Sequence, residues 1–138
     1  MTGSETSARR PLSVLVYSDD RTVREQVMAM LGRRPSADLA EIAYAECATQ
    51  SAVLARMDAG GVDLAILDGE AVPSGGMGLC RQLKDEIFRC PPIIVLTGRP
   101  EDGWLATWSR ADASIPHPLD PVALARTAAD LLRAPVAR

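Results

Sequence analysis

The chain predicts an α/β sandwich on a parallel sheet. Three observations predict it. Short apolar runs rich in branched residues, at 14–17, 64–67 and 93–96, alternate with stretches whose apolar residues recur at helical spacing. Such runs read as strands buried on both faces, the situation of a sheet with helices on each side. Strand–helix alternation gives parallel neighbours joined by right-handed crossovers. The third observation is chemical. The first run ends in Ser18-Asp19-Asp20, the second in Asp68, the third in Thr97, and a fourth near Ile115 in His117-Pro118. Open parallel sheets bind ligands beyond the carboxyl ends of their strands. Carboxylates, a hydroxyl and a potential cation around one point suit a hard divalent metal and a phosphoryl group.

The elements follow in order. Residues 1–11 are small, polar and Arg-containing, and are expected to form a flexible tail. The first strand runs over 12–17. Asp20 is placed to cap a helix carrying Val23, Val27, Met30 and Leu31, which Gly32 ends. A mixed stretch at 39–46 reads as a shorter strand. Thr49 caps a helix over 50–57 that stops near Gly60-Gly61. The third strand is 63–67, and the loop 69–78 is rich in Gly and Pro. Leu79, Leu83 and either Ile87 or Phe88 mark the third helix. Cys90-Pro91-Pro92 breaks it before a strand at 93–96. A short helix lies near 101–109, and a strand at 113–115. Asp120-Pro121 starts the last helix, with the acid as cap and the proline in the first turn. Its expected inward residues are Val122, Ala125, Ala129 and Leu132.

Composition narrows the function. At 138 residues there is room for one domain, with 47% hydrophobic and 24% charged residues as in ordinary globular proteins. A net charge of −3 argues against nucleic acid, which needs clustered basic charge. No signal peptide or membrane span is predicted. Cys47, Cys80 and Cys90 lack paired or metal-like spacing and read as reduced residues, which points to a cytoplasmic setting. Gly75-Gly76-Met77-Gly78 is too irregular for a nucleotide loop. In a chain with one Phe, two Tyr and two Trp, Trp104 and Trp108 lie one helical turn apart. The ordinary expectation is that at least one packs into the core.

Taken in this order, Asp19, Asp68, Thr97 and His117-Pro118 resemble the motif set of receiver domains of bacterial two-component response regulators. The resemblance covers about 12–132, with the domain taken as 12–134 and no output domain. It implies a flavodoxin-like, doubly wound five-stranded sheet in the order 2-1-3-4-5. It also implies a signalling protein rather than an enzyme, with at most autocatalytic phosphorylation and dephosphorylation. By resemblance Asp68 is the phosphoacceptor in a phosphorelay. Thr97 is the hydroxyl that contacts the phosphoryl group, and His117 takes the place of the family lysine. Placing Arg24 on an arginine common in the family puts Ser18 at the first acidic position and Asp19 at the second, metal-binding one. A shift of one residue makes Asp19-Asp20 the pair, so Asp20 stays a candidate ligand. Mg²⁺ (or Mn²⁺) would be held by Asp19, Asp68 and the Glu70 backbone carbonyl. The partners implied are a histidine kinase or phosphotransfer protein and a downstream protein. The latter would dock on the helix 4–strand 5–helix 5 face, where Trp104 and Trp108 could anchor it.

The departures from the family pattern are specific. Ser18 replaces an acid. His117 replaces a lysine, and an ordinary imidazole is mostly neutral at pH 7. Val72-Pro73 falls one place late and Gly78-Leu79 two places late, so the loop after Asp68 is long. Ser114 stands where receivers often have an aromatic switch residue. Glu70 adds charge beside the acceptor. These support an alternative, a phosphorylation-independent pseudo-receiver acting as a protein–protein interaction module. A small-molecule binder on the same sheet has only architecture behind it. The family's Lys-Pro bond is commonly cis, and His117-Pro118 is expected to be so.

Overall fold

The structure, a computed structural model, describes residues 10–133. Among them are five strands: β1 (Leu12–Tyr17), β2 (Ile42–Cys47), β3 (Leu64–Asp68), β4 (Ile93–Thr97) and β5 (Ala113–Pro116). The helices are α1 (Arg21–Leu31), α2 (Gln50–Asp58), α3 (Gly76–Glu86), α4 (Gly103–Trp108, entered through a 3₁₀ turn at Pro100–Asp102) and α5 (Pro121–Arg133). All strand pairs are parallel, in the order β2-β1-β3-β4-β5. The architecture is the one expected.

Strand alternation sorts the core into two layers. From β1, Leu15 and Tyr17 join Val53, Met57, Leu79, Cys80 and Leu83 of α2 and α3 on one face. Val14 and Val16 join Val27, Leu31, Leu124 and Ala128 of α1 and α5 on the other. β3 and β4 are buried along their whole length. That is why they carried the clearest sequence signal.

Four local expectations are corrected. The second strand starts at Ile42, not 39, because Leu39 closes a turn onto the Ser36 carbonyl. Asp63 precedes β3 rather than opening it, and its carboxylate accepts the Ser13 amide at 2.8 Å. α3 starts at Gly76, inside the expected loop. A Cβ there would lie 2.6 Å from the Asp68 carbonyl oxygen, so only glycine lets the helix start this close to β3. Beyond α3, Ile87 packs on the core while Phe88 is 85% exposed. In α5, Asp120 caps the Val122 amide and Val122 is 63% exposed, not inward; Ala129 is buried as expected, Ala125 and Leu132 pack against the core, and Leu124 and Ala128 join them. Of the expected tail, 1–9 lie outside the described residues, and Arg10 pairs with Asp63 at 3.3 Å. Residue 134, the expected domain end, also lies outside them. No described helix is long and apolar enough to cross a membrane.

This packing makes a direct comparison possible. Leu124→Ala should cost about 2–5 kcal/mol, as large-to-small changes in full cores do, whereas Val122→Ala should stay within about 0.5 kcal/mol. Urea unfolding midpoints measure both. Equal losses would contradict the assigned face of α5.

Candidate functional site

The sheet register sets the site. Tyr17 is level with Leu67, and Asp68 with Leu96. The next residue beyond β1, Ser18, therefore lies beside Asp68. Its Oγ donates to Asp68 Oδ2 at 2.8 Å, with both residues buried. The other carboxylate oxygen, Oδ1, accepts the Glu70 amide at 2.9 Å. His117 Nε2 lies 3.7 Å from Oδ1, too far for a hydrogen bond but close for a charge pair. The His117-Pro118 bond is cis, as is Val72-Pro73. The His117 amide donates to the Thr97 carbonyl at 2.8 Å, which fixes the end of β5 against that of β4.

Asp19, Asp20, Val23, Asp68, Glu70, Gly98 and His117 line one open cleft of about 360 Å³. The crevice expected at the strand ends is therefore present, with Asp19, Asp68 and His117 around it. Thr97 stands behind it, buried at the end of β4, and Gly98 forms the wall. A Cβ on Gly98 would overlap the Glu70 carboxylate, so glycine makes room for that side chain. Asp20 caps α1 through the Thr22 amide at 2.8 Å. Asp19 Oδ1 accepts the Val72 amide at 3.1 Å and so reaches across to the loop after β3. Arg24 donates to the Ser18 carbonyl at 2.7 Å and to Glu46 at 3.1 Å, holding the Ser18–Asp20 turn from the α1 side.

The donor set is hard oxygen, the kind that Mg²⁺ and Mn²⁺ prefer. Among the described residues no group of three or more His, Cys, Asp or Glu is placed to hold an ion by itself. A cation here would draw on two carboxylates, with carbonyl and water completing its shell. That fits an ion that keeps several waters.

Two features escaped sequence reading. Tyr17, an apolar strand residue by pattern, sends its hydroxyl to the Ser74 carbonyl at 2.5 Å. Burial, then the charges of Asp19 and Asp68, push its phenol up. Trp104 and Trp108 are both surface residues, 69% and 50% exposed, so neither fills the core. Trp108 carries the Arg81 guanidinium 5.0 Å above its ring, and Arg81 also donates to its carbonyl. Trp108 therefore leans toward α3 rather than toward β5.

Comparison with known proteins gives the family. No family model matches the chain. Two curated proteins do, both uncharacterised response regulatory proteins of Mycobacterium tuberculosis, one from strain H37Rv and one from strain CDC 1551. Each is 60% identical over 124 residues, spanning 90% of this chain and 93% of the relative. The chain belongs to the response regulator receiver family. Its fold is shared with a putative response regulator from Chloroflexus aurantiacus (TM-score 0.76, 21% identity, 91% of this chain and 100% of that one). The same holds for a Francisella receiver domain (TM-score 0.75, 17% identity, 90% and 98%) and for the chemotaxis response regulator CheY4 of Vibrio cholerae (TM-score 0.72, 21% identity, 88% and 99%). This receiver therefore has its place in two-component signalling.

Removing the Ser18 hydroxyl strands a buried carboxylate oxygen. Ser18→Ala should cost about 1–3 kcal/mol of stability, the usual penalty for an unsatisfied buried acceptor. The measurement is a urea unfolding curve. No loss would show that Asp68 finds another donor.

The cysteines offer no activated nucleophile. Burial pushes all three thiols up, Cys80 to about 11, away from the depressed values of reactive cysteines. In the native protein at pH 8, Cys90, half-buried, should label with a thiol reagent before buried Cys47 and Cys80. In urea all three should label alike. Mass spectrometry of labelled peptides gives the order.

Proposed function

We propose that this receiver accepts a phosphoryl group on Asp68, with a divalent cation held by Asp19, Asp68 and the Glu70 carbonyl. The observation that carries the reading is the shared cleft: Asp68 and Asp19 line it together, with His117 across from them. A carboxylate oxygen of Asp68 would attack phosphorus of a phosphohistidine on a kinase or phosphotransfer protein. The P–N bond breaks, the departing imidazole takes a proton from water, and an aspartyl phosphate remains. Ser18 and the Glu70 amide hold the carboxylate in one orientation for that attack. The cation, when bound, offsets charge on the transferring group. In its protonated form His117 adds a positive charge beside Oδ1. Thr97, at the end of β4 beside Gly98, would offer its hydroxyl to the group. Trp104, the more exposed of the pair on α4, is the anchor offered to a downstream protein.

The same site explains why the response should be modest. A ligand shifts an equilibrium only by its differential affinity for the two states. Phosphate here meets the Glu70 carboxylate, an imidazole shorter than a lysine side chain, and Ser114 where an aromatic could be recruited. The Ser18–Asp68 bond favours a second reading, a pseudo-receiver that binds its partner without phosphate, because it occupies an acceptor oxygen.

Incubation with acetyl phosphate and Mg²⁺, followed by intact mass, separates the two. Acceptance predicts one added phosphoryl group that needs Mg²⁺ and is absent in Asp68→Asn. His117→Lys should raise the modified fraction several-fold. A mass unchanged in both wild type and His117→Lys would favour the phosphate-independent module.

A further inference from the structure

The loop between β3 and α3 is fixed by contacts that the proposed phosphoacceptor reading does not use. Residues 69–75 are tied at three points. Asp19 Oδ1 accepts the Val72 amide at 3.1 Å. The Tyr17 hydroxyl donates to the Ser74 carbonyl at 2.5 Å. Ser74 Oγ donates to Gln50 Oε1 at 2.8 Å, and Gln50 Nε2 donates on to Gln82 Oε1 at 3.0 Å. One end of this chain is a strand residue adjoining Ser18 and Asp19. The other end is on α2 and α3.

We propose that Tyr17 is a positioning residue of the cleft: through the Ser74 carbonyl its phenol holds 69–75 in the conformation in which Asp19 and Asp68 face the same opening. The ring is fully enclosed by the α2–α3 layer, so only its hydroxyl reaches the loop. A tyrosine in that layer carries a polar group that must find an acceptor. The acceptor it finds lies in the loop that joins β3 to α3. Val72 N is the only amide of this loop that Asp19 holds among the bonds described, and it lies two residues from Ser74. Loss of the phenol therefore releases Asp19 from the loop as well as Ser74 from β1. Consequences for phosphoryl acceptance rest on the acceptor reading above; the positioning itself does not.

Tyr17→Phe keeps the ring and removes the hydroxyl. Amide hydrogen exchange, measured without phosphoryl donor or metal, reads the positioning directly. The Ala71 and Val72 amides should exchange faster by roughly fivefold to tenfold, the factor one neutral hydrogen bond is worth, with β4 amides unchanged. Gln50→Ala, which loosens Ser74 from the helix side and leaves the core intact, should speed the same amides and no others. In the phosphorylation assay, Tyr17→Phe should raise the Mg²⁺ concentration for half-maximal rate and leave dependence on acetyl phosphate unaltered. Unchanged exchange at 71–72 in both variants, or faster exchange spread evenly through the sheet, overturns the proposal. If exchange responds and phosphorylation is absent even in wild type, the positioning stands and only the acceptor reading fails.

Discussion

A carboxylate at the end of a strand buried on both faces is the constraint around which this molecule is arranged. Asp68 closes β3 at the centre of the sheet, and nothing apolar can satisfy it. Its neighbours are supplied by other strand ends and by the turn that follows: the Ser18 hydroxyl from β1, the Glu70 amide from the turn, and the His117 imidazole from beyond β5. Ser18 and His117 depend on parallel register, because only parallel neighbours bring successive carboxyl ends to the same edge, while the Glu70 amide is local to the turn. Gly76 and Gly98 are accommodations to it, one letting α3 start against the Asp68 carbonyl, the other making room for Glu70.

The departures from the family pattern act together on this point. Where the resemblance puts an acid, Ser18 gives a hydrogen bond instead of a charge. The exchange removes like-charge repulsion with Asp68 and ties one of its oxygens. His117 sets an imidazole 3.7 Å from Asp68 where the resemblance puts a lysine. The loop after β3 sets its Val72 amide against Asp19. Trp104 on α4 is exposed in this structure.

Much of the fold was legible because buried parallel strands announce themselves. β1 was bounded correctly from its run of branched residues, and β4 was found one residue short, at the Thr97 that ends it. The caps at Asp20 and Thr49 were legible too, since a side-chain acceptor before a helical repeat has one main use. The phase of α5 was legible only in part: Ala129 is buried and Ala125 and Leu132 pack on the core, but Val122 in the first turn is exposed and Leu124 and Ala128 carry the centre of the stripe. Of the site, the strand-end residues were readable because topology alone collects them. The Tyr17–Ser74 contact joins residues 57 apart through a loop without periodicity. A tyrosine in an apolar run reads simply as core. The Trp pair misled for the opposite reason, since scarcity of aromatics favours burial, yet α4 is too short to bury both its stripe and its tryptophans.

The central claim is that the strand ends form one working site around Asp68. Beryllofluoride, a phosphoryl mimic, added with Mg²⁺ and followed by backbone amide shifts, tests it most directly. The account predicts large shifts at Asp19, at 68–72, at Gly98 and at His117, small shifts at Trp104 and Ser114, and none in Asp68→Asn. An absence of shifts at 68–72, or the same shifts in Asp68→Asn, would contradict it.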